Sequence, residues 1–141
     1  MATIKLHTDL LVYQKSFDSS MQIFQLSKRF PKEEVYSLTD QIRRSSRSVS
    51  ANISEAWGKR KYIKSFVSKL TDAEAEARET QTWLEFSMSC QYLSISEFKE
   101  LKENYNQIIG MLVIMMNQAE KWTSFNHLND LLLTNSHTLK L

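Results

Sequence analysis

Apolar residues recur along this chain at helical spacing, most regularly near its end. Phe98, Leu101, Tyr105, Ile108, Leu112, Met115, Ala119 and Trp122 follow steps of three and four without a slip, which predicts one long amphipathic helix. Upstream, Phe66, Leu70, Ala73, Ala77, Thr80 and Leu84 form a second such seam. A third, Val35, Leu38, Ile42, Ser45, Val49, Asn52 and Ala56, turns small and polar halfway along. Leu10, Tyr13, Phe17, Met21 and Phe24 mark a first helix, expected to start at a Thr8 or Asp9 cap and to stop before Pro31. Pro31 is well placed to open the next helix, because its missing amide hydrogen is not needed there. Ser94 or Ser96 is the expected cap of the last. Helices at about 9–29, 32–58, 62–91 and 96–122 are joined by short connections, which force neighbours to run opposite ways. The expected fold is therefore all-α, an antiparallel up-down-up-down four-helix bundle over residues 1–123, with 124–141 as a short helix or a partly ordered tail.

Composition agrees with that pattern. One proline and two glycines leave little for strand turns or linkers, and 141 residues fit one domain with its own core. The single cysteine, Cys90, permits no internal disulfide, and its helical position favours an inert buried thiol. The start of the chain lacks the build of a signal peptide, so the cytoplasm is the expected location. The longest apolar run, Ile108 to Met116, is about half of a bilayer crossing.

Candidate chemistry is sparse. His7, His127 and His137 all lie near the ends and lack the Glu-x-x-His spacing of a bundle metal site. Gly58 and Gly110 are isolated, so no glycine-rich phosphate loop exists. Asp72, Glu74, Glu76 and Glu79 read as a solvated face. The expectation is a protein without catalytic residues, metal or cofactor.

The stretch QIRRSSRSVSANISEAWGKR, residues 41–60, is unusual for a bundle helix. Gln41, Arg44, Ser48, Asn52 and Glu55 form a polar stripe expected to point partly inward and to bond with the neighbouring helices, Arg44 with Glu79 or Glu74 of the third. Arg43 and Arg47 fall on an outward face that leads into Lys59, Arg60, Lys61 and Lys64. Residues 41–64 hold seven Lys and Arg against one acid, while the whole chain is only +2. With Trp57 and Tyr62 beside it, such a basic patch suits RNA or DNA phosphates. It equally suits acidic faces on other helices or a second subunit. The last helix carries more apolar residues than one stripe needs: Ile109, Val113, Ile114 and Met116, which with Trp83 and Phe86 are expected to line a contact between copies.

The segment FPKEEVYSLTDQIRRSSRSVSANISEAWGKR, residues 30–60, resembles the signature of the four-helix bundle proteins of the 23S ribosomal RNA intervening-sequence type. Gln41, Arg43, Arg44, Ser48, Asn52, Ile53, Glu55 and Glu79 match its pattern, and the similarity extends from Leu10 to Trp122. Trp57 departs from it, standing where the family often has another aromatic or a small residue. The resemblance implies an antiparallel bundle that assembles as a ring, a homopentamer. Some members are encoded within intervening sequences of ribosomal RNA genes. A related branch, the accessory variability determinant proteins of diversity-generating retroelements, forms a basic barrel that works with a reverse transcriptase and nucleic acid, whereas this chain is only weakly basic. Two functions follow as expectations: a nucleic-acid-binding oligomer, or a structural adaptor whose partners are proteins.

Overall fold

A computed structural model of the chain describes residues 3–123; the tail 124–141 lies outside the described residues. Four helices make up the fold: α1 (Leu11–Ser27), α2 (Leu38–Gly58), α3 (Ile63–Ser89) and α4 (Ile95–Asn117). Each lies beside two neighbours in a closed cycle, with no close backbone approach across either diagonal. Side-chain pairs between neighbours fix the directions. Ser16 meets Ser50 while Ser20 meets Ser46, so α1 and α2 are antiparallel. Lys69 meets Glu55 and Thr80 meets Ser45, so α3 reverses again. Thr71 meets Met116 while Gln81 meets Asn106, and α4 closes an up-down-up-down bundle.

Helix ends follow from local chemistry. Ser94 caps α4: its hydroxyl accepts from the Glu97 amide (3.1 Å) and its own amide donates to Glu97 Oε1 (2.9 Å), a reciprocal box that satisfies two orphan donors. Arg29 holds the same carboxylate at 2.8 Å. At the end of α3, Gln91 adopts φ 65°. The Tyr92 amide then reaches the Ser87 carbonyl at 2.8 Å and the Gln91 amide reaches Met88 at 2.9 Å, a Schellman closure without the usual glycine.

Three expectations about the helices are corrected. Pro31 does not open α2: its ψ of 148° is extended, Lys32–Glu34 forms a separate 3-10 turn, and Ser37 breaks the chain before Leu38. Val35 is consequently 47% exposed, and Phe30 and Leu38 fill the core at that level. Asp9 does not cap α1. Its carboxylate accepts the Lys5 and Leu6 amides, both at 3.0 Å, and these bonds hold its pKa below the ordinary value. The last helix breaks at Gln118 (φ −110°), so Ala119 and Trp122 belong to a further helical stretch beyond it.

The first helix is also rotated from the expected face. Val12, Ser16, Ser19, Ser20, Ile23 and Ser27 point inward, while Phe17 and Met21 are exposed and Tyr13 and Phe24 are half-buried. The reason lies on α2, whose buried set includes Ser45, Ser46 and Ser50 among Ile42, Val49 and Ile53. Two serine faces let the helix backbones approach closely and satisfy each other, Ser16 Oγ to Ser50 Oγ at 2.9 Å and Ser20 Oγ to Ser46 Oγ at 3.3 Å. A larger side chain at these positions would hold the helices apart. By contrast α3 buries its full expected seam, Phe66 to Leu84. Among the described residues, no helix is long and apolar enough to cross a membrane.

Candidate nucleic-acid interface

Because α2 packs with its serine face, its opposite face is left open. Arg43, Arg44 and Arg47 stand there with Val35, Thr39, Asp40, Ser48 and Ala51, lining a shallow depression of about 400 Å³ to which no other helix contributes. Among the described residues none of the three guanidiniums forms an ion pair, although Asp40 lines the depression and Arg44 acts on Glu76. Arg43 Nε donates to Ser27 Oγ at 2.8 Å. Arg43 and Arg47 lie 4.9 and 5.6 Å from the Phe24 ring centre, and Lys28 Nζ lies 4.8 Å from it. One ring thus gathers three cations.

Lys59, Arg60, Lys61 and Lys64 stand elsewhere, around the α2–α3 turn. Arg60 stacks on Trp57 at 3.7 Å and donates to the Trp57 carbonyl at 3.1 Å, where a cation also suits the negative end of α2. Lys61 lies 5.7 Å from the Tyr62 ring centre. Arg47 and Lys59 are three helical turns apart, about 18 Å along the axis, so the expected patch divides into two groups. Other cations of the protein are held in ion pairs. Arg29 pairs with Glu97, Lys69 with Glu55 and Asp72, and Arg78 with Glu74. Among the described residues, Arg43, Arg44, Arg47, Lys59, Lys61 and Lys64 form no ion pair.

The inward polar stripe is corrected. Gln41, Arg44 and Ser48 do meet Glu79, together with Ser45 and Glu76, around a cleft of about 110 Å³ between α2 and α3, but Arg44 is exposed and Gln41, Ser48 and Glu79 are only half-buried. Asn52 donates to the Ser48 carbonyl of its own helix at 2.9 Å. Glu55 is exposed and pairs with Lys69 at 2.9 Å, which lowers its pKa. The buried polar contacts belong instead to Ser16, Ser50, Ser20, Ser46, Ser45 and Thr80, because short hydroxyls fit between close helices and long polar groups do not. Glu76, read only as part of a solvated face, is the residue that the stripe reading missed. Burial, then the adjacent Glu79 carboxyl, raises its pKa, and Arg44 opposes the shift.

The expected self-contact residues fall in separate places. Trp83 and Phe86, ring centres 5.8 Å apart, join Tyr36, Leu38 and Cys90 in an apolar depression of about 410 Å³ at one end of α3. Tyr36 is 93% exposed there, and Cys90 is an exposed thiol at the α3 C-cap instead of a buried one. Ile109 is 9% exposed and belongs to the core. Val113 and Met116 are half-buried against that core. An α4 that touches both α1 and α3 buries a wider stripe than one seam. Ile114 remains exposed, beside Leu11 and Met111.

A further groove of about 410 Å³ runs between α1 and α2, lined by Tyr13, Phe17, Ser20, Met21, Arg47, Ser50, Ala51 and Ser54. Its rings were expected in the core, so the reading of apolar residues as inward hid it. Among the described residues no group of three or more His, Cys, Asp or Glu could hold a metal ion; His127 and His137 lie outside them.

Comparison with known proteins agrees with the geometry. The family model described as 23S rRNA-intervening sequence protein matches residues 8–113. A solved structure from Bacteroides thetaiotaomicron, described as a protein with unknown function from the S23 ribosomal protein family, is 28% identical with a TM-score of 0.69, covering 75% of this chain and 98% of that one. Neither description carries a catalytic assignment. Among curated proteins none matches the chain.

Proposed function

We propose, for a chain that belongs to the 23S rRNA-intervening sequence protein family, that it is a non-enzymatic cytoplasmic homo-oligomer that binds RNA or DNA phosphates through the open face of α2. One observation carries this reading: Arg43, Arg44 and Arg47 stand together on a face that no other helix covers, none of them in an ion pair among the described residues, with Asp40 the one acid that lines the depression. Lys59, Lys61 and Lys64 form a second phosphate contact about three helical turns away. Assembly into a ring, five copies by the family resemblance, would multiply a weak site through effective concentration. The depression around Tyr36, Trp83 and Phe86 is the surface for that assembly.

The same depression favours a second reading, an adaptor whose partners are proteins. Charge reversal separates the two. Arg43→Glu with Arg47→Glu should abolish binding to a fluorescent RNA while leaving the oligomer mass in light scattering unchanged. A reversed pair that dissociates the oligomer, or leaves RNA affinity intact, would assign these arginines to protein contacts or to no contact.

A further inference from the structure

The groove between α1 and α2 joins an exposed ring, Phe17, and a half-buried one, Tyr13, to the Arg47 cation. Phe17 is 47% exposed. Its ring lies 6.1 Å from that of Tyr13 at an interplanar angle of 25°, and the edge of His7 meets Tyr13 at 4.8 Å and 84°. The two larger rings are therefore stacked and nearly parallel, one helical turn apart, with His7 edge-on to Tyr13. Met21 extends the same surface, and Arg47 stands at its border with Ser50 and Ser54 on the floor. No Asp or Glu lines the groove. Its volume, about 410 Å³, lies in the range that holds small organic ligands, roughly 300–1,000 Å³.

We infer that this groove is a stacking platform for unpaired bases, so that the nucleic acid taken by the α2 face is single-stranded. The inference rests on the phosphate reading above and adds to it which form of nucleic acid is bound. Bases inside a duplex already stack on each other and offer an aromatic side chain no free face, whereas splayed bases of a single strand do. Arg47 lines both the groove and the arginine depression, so a strand whose phosphates meet Arg43 and Arg47 lays its bases toward Phe17 and Tyr13. Stacking is compatible with any base, so little sequence preference follows.

The test compares a short unstructured RNA, the same RNA as a duplex, and an abasic strand of equal length, each by fluorescence anisotropy at one salt concentration with the full chain. The wild type should favour the unpaired strand over the duplex. A Tyr13→Leu, Phe17→Leu variant keeps the apolar bulk and removes the π faces. It should lose about ten-fold affinity per base no longer stacked on the unpaired strand and should bind the abasic strand like the wild type. Equal binding of strand and duplex with no effect of the variant would overturn the platform while leaving the phosphate contacts standing. Failure of the wild type to bind any of the three would remove the phosphate reading itself, and the platform with it. A smaller oligomer for the variant in light scattering would assign the rings to a contact between copies and refute the inference.

Discussion

The hydroxyl contact between α2 and α3 offers a measurable test of how this bundle is held in register. Thr80 Oγ1 lies 2.8 Å from Ser45 Oγ and 2.8 Å from the Glu76 carbonyl, and both side chains are buried. In Thr80→Val the volume is nearly kept, but Ser45 is left with only a long 3.4 Å contact to the Ile42 carbonyl. A buried hydroxyl deprived of its partner costs about 1–3 kcal/mol. Ser45→Ala should cost less, because Thr80 keeps its bond to Glu76. In the double variant no orphan remains, and its loss should fall short of the sum of the singles by about 1 kcal/mol. Urea unfolding of the four proteins measures this directly, with the slope against denaturant unchanged. Strictly additive losses, or a Thr80→Val protein as stable as the wild type, would refute the claim that this pair is coupled.

Further expectations concern other sites. Tyr105 is fully buried in the core with no hydrogen-bond partner for its hydroxyl among the described residues, and burial pushes its pKa well up. Tyr105→Phe should therefore leave stability unchanged or raise it by about 1 kcal/mol, read by thermal unfolding. Gln91→Gly should stabilise by about 1 kcal/mol, since glycine takes the left-handed conformation without the steric cost that glutamine bears at φ 65°. Glu76 holds its proton more tightly folded than unfolded. Its contribution therefore makes stability fall as pH rises from its ordinary value of 4.5 through the raised one, and Glu76→Gln should flatten that segment of the pH–stability curve. Glu97 behaves oppositely: Arg29, then the Ser94 amide, lowers its pKa. Its stabilising effect is present above pH 4.5 and is lost as pH falls through the lowered value, a loss that Glu97→Gln should remove from the acid unfolding curve.

How much of this was legible in the sequence differs from helix to helix. The α3 and α4 seams were readable because their buried residues are also their apolar ones, from Phe66 to Leu84 and from Phe98 to Met115. The α1 face was not, because serine is neither apolar nor large: a helix that buries Ser16, Ser19, Ser20 and Ser27 has its aromatic stripe at the flank of the buried face, half-buried at Tyr13 and Phe24 and exposed at Phe17. That rotation explains the site as well. Tyr13 and Phe17 reach the surface beside Arg47 only because the serines packed inward. Arg43 and Arg47 were assigned to an outward face from their spacing, whereas Arg44, expected partly inward, is exposed beside them, and the division of the basic patch into two groups depends on the helix length between Arg47 and Lys59. Glu76 escaped notice since burial is the first cause of its raised pKa, and the α2 residues that share its cleft, Gln41, Arg44, Ser45 and Ser48, are distant in the chain.

The most direct measurement of the account is RNA affinity of the wild type against salt, repeated for the Arg43→Glu, Arg47→Glu protein at equal oligomer mass. Affinity mediated by phosphates falls linearly on logarithmic axes, with a slope of about −0.7 for each phosphate neutralised on a single strand. The account predicts a linear decline for the wild type and loss of binding for the double reversal. Absence of binding at low salt, or an affinity indifferent to salt and to the two reversals, would contradict it.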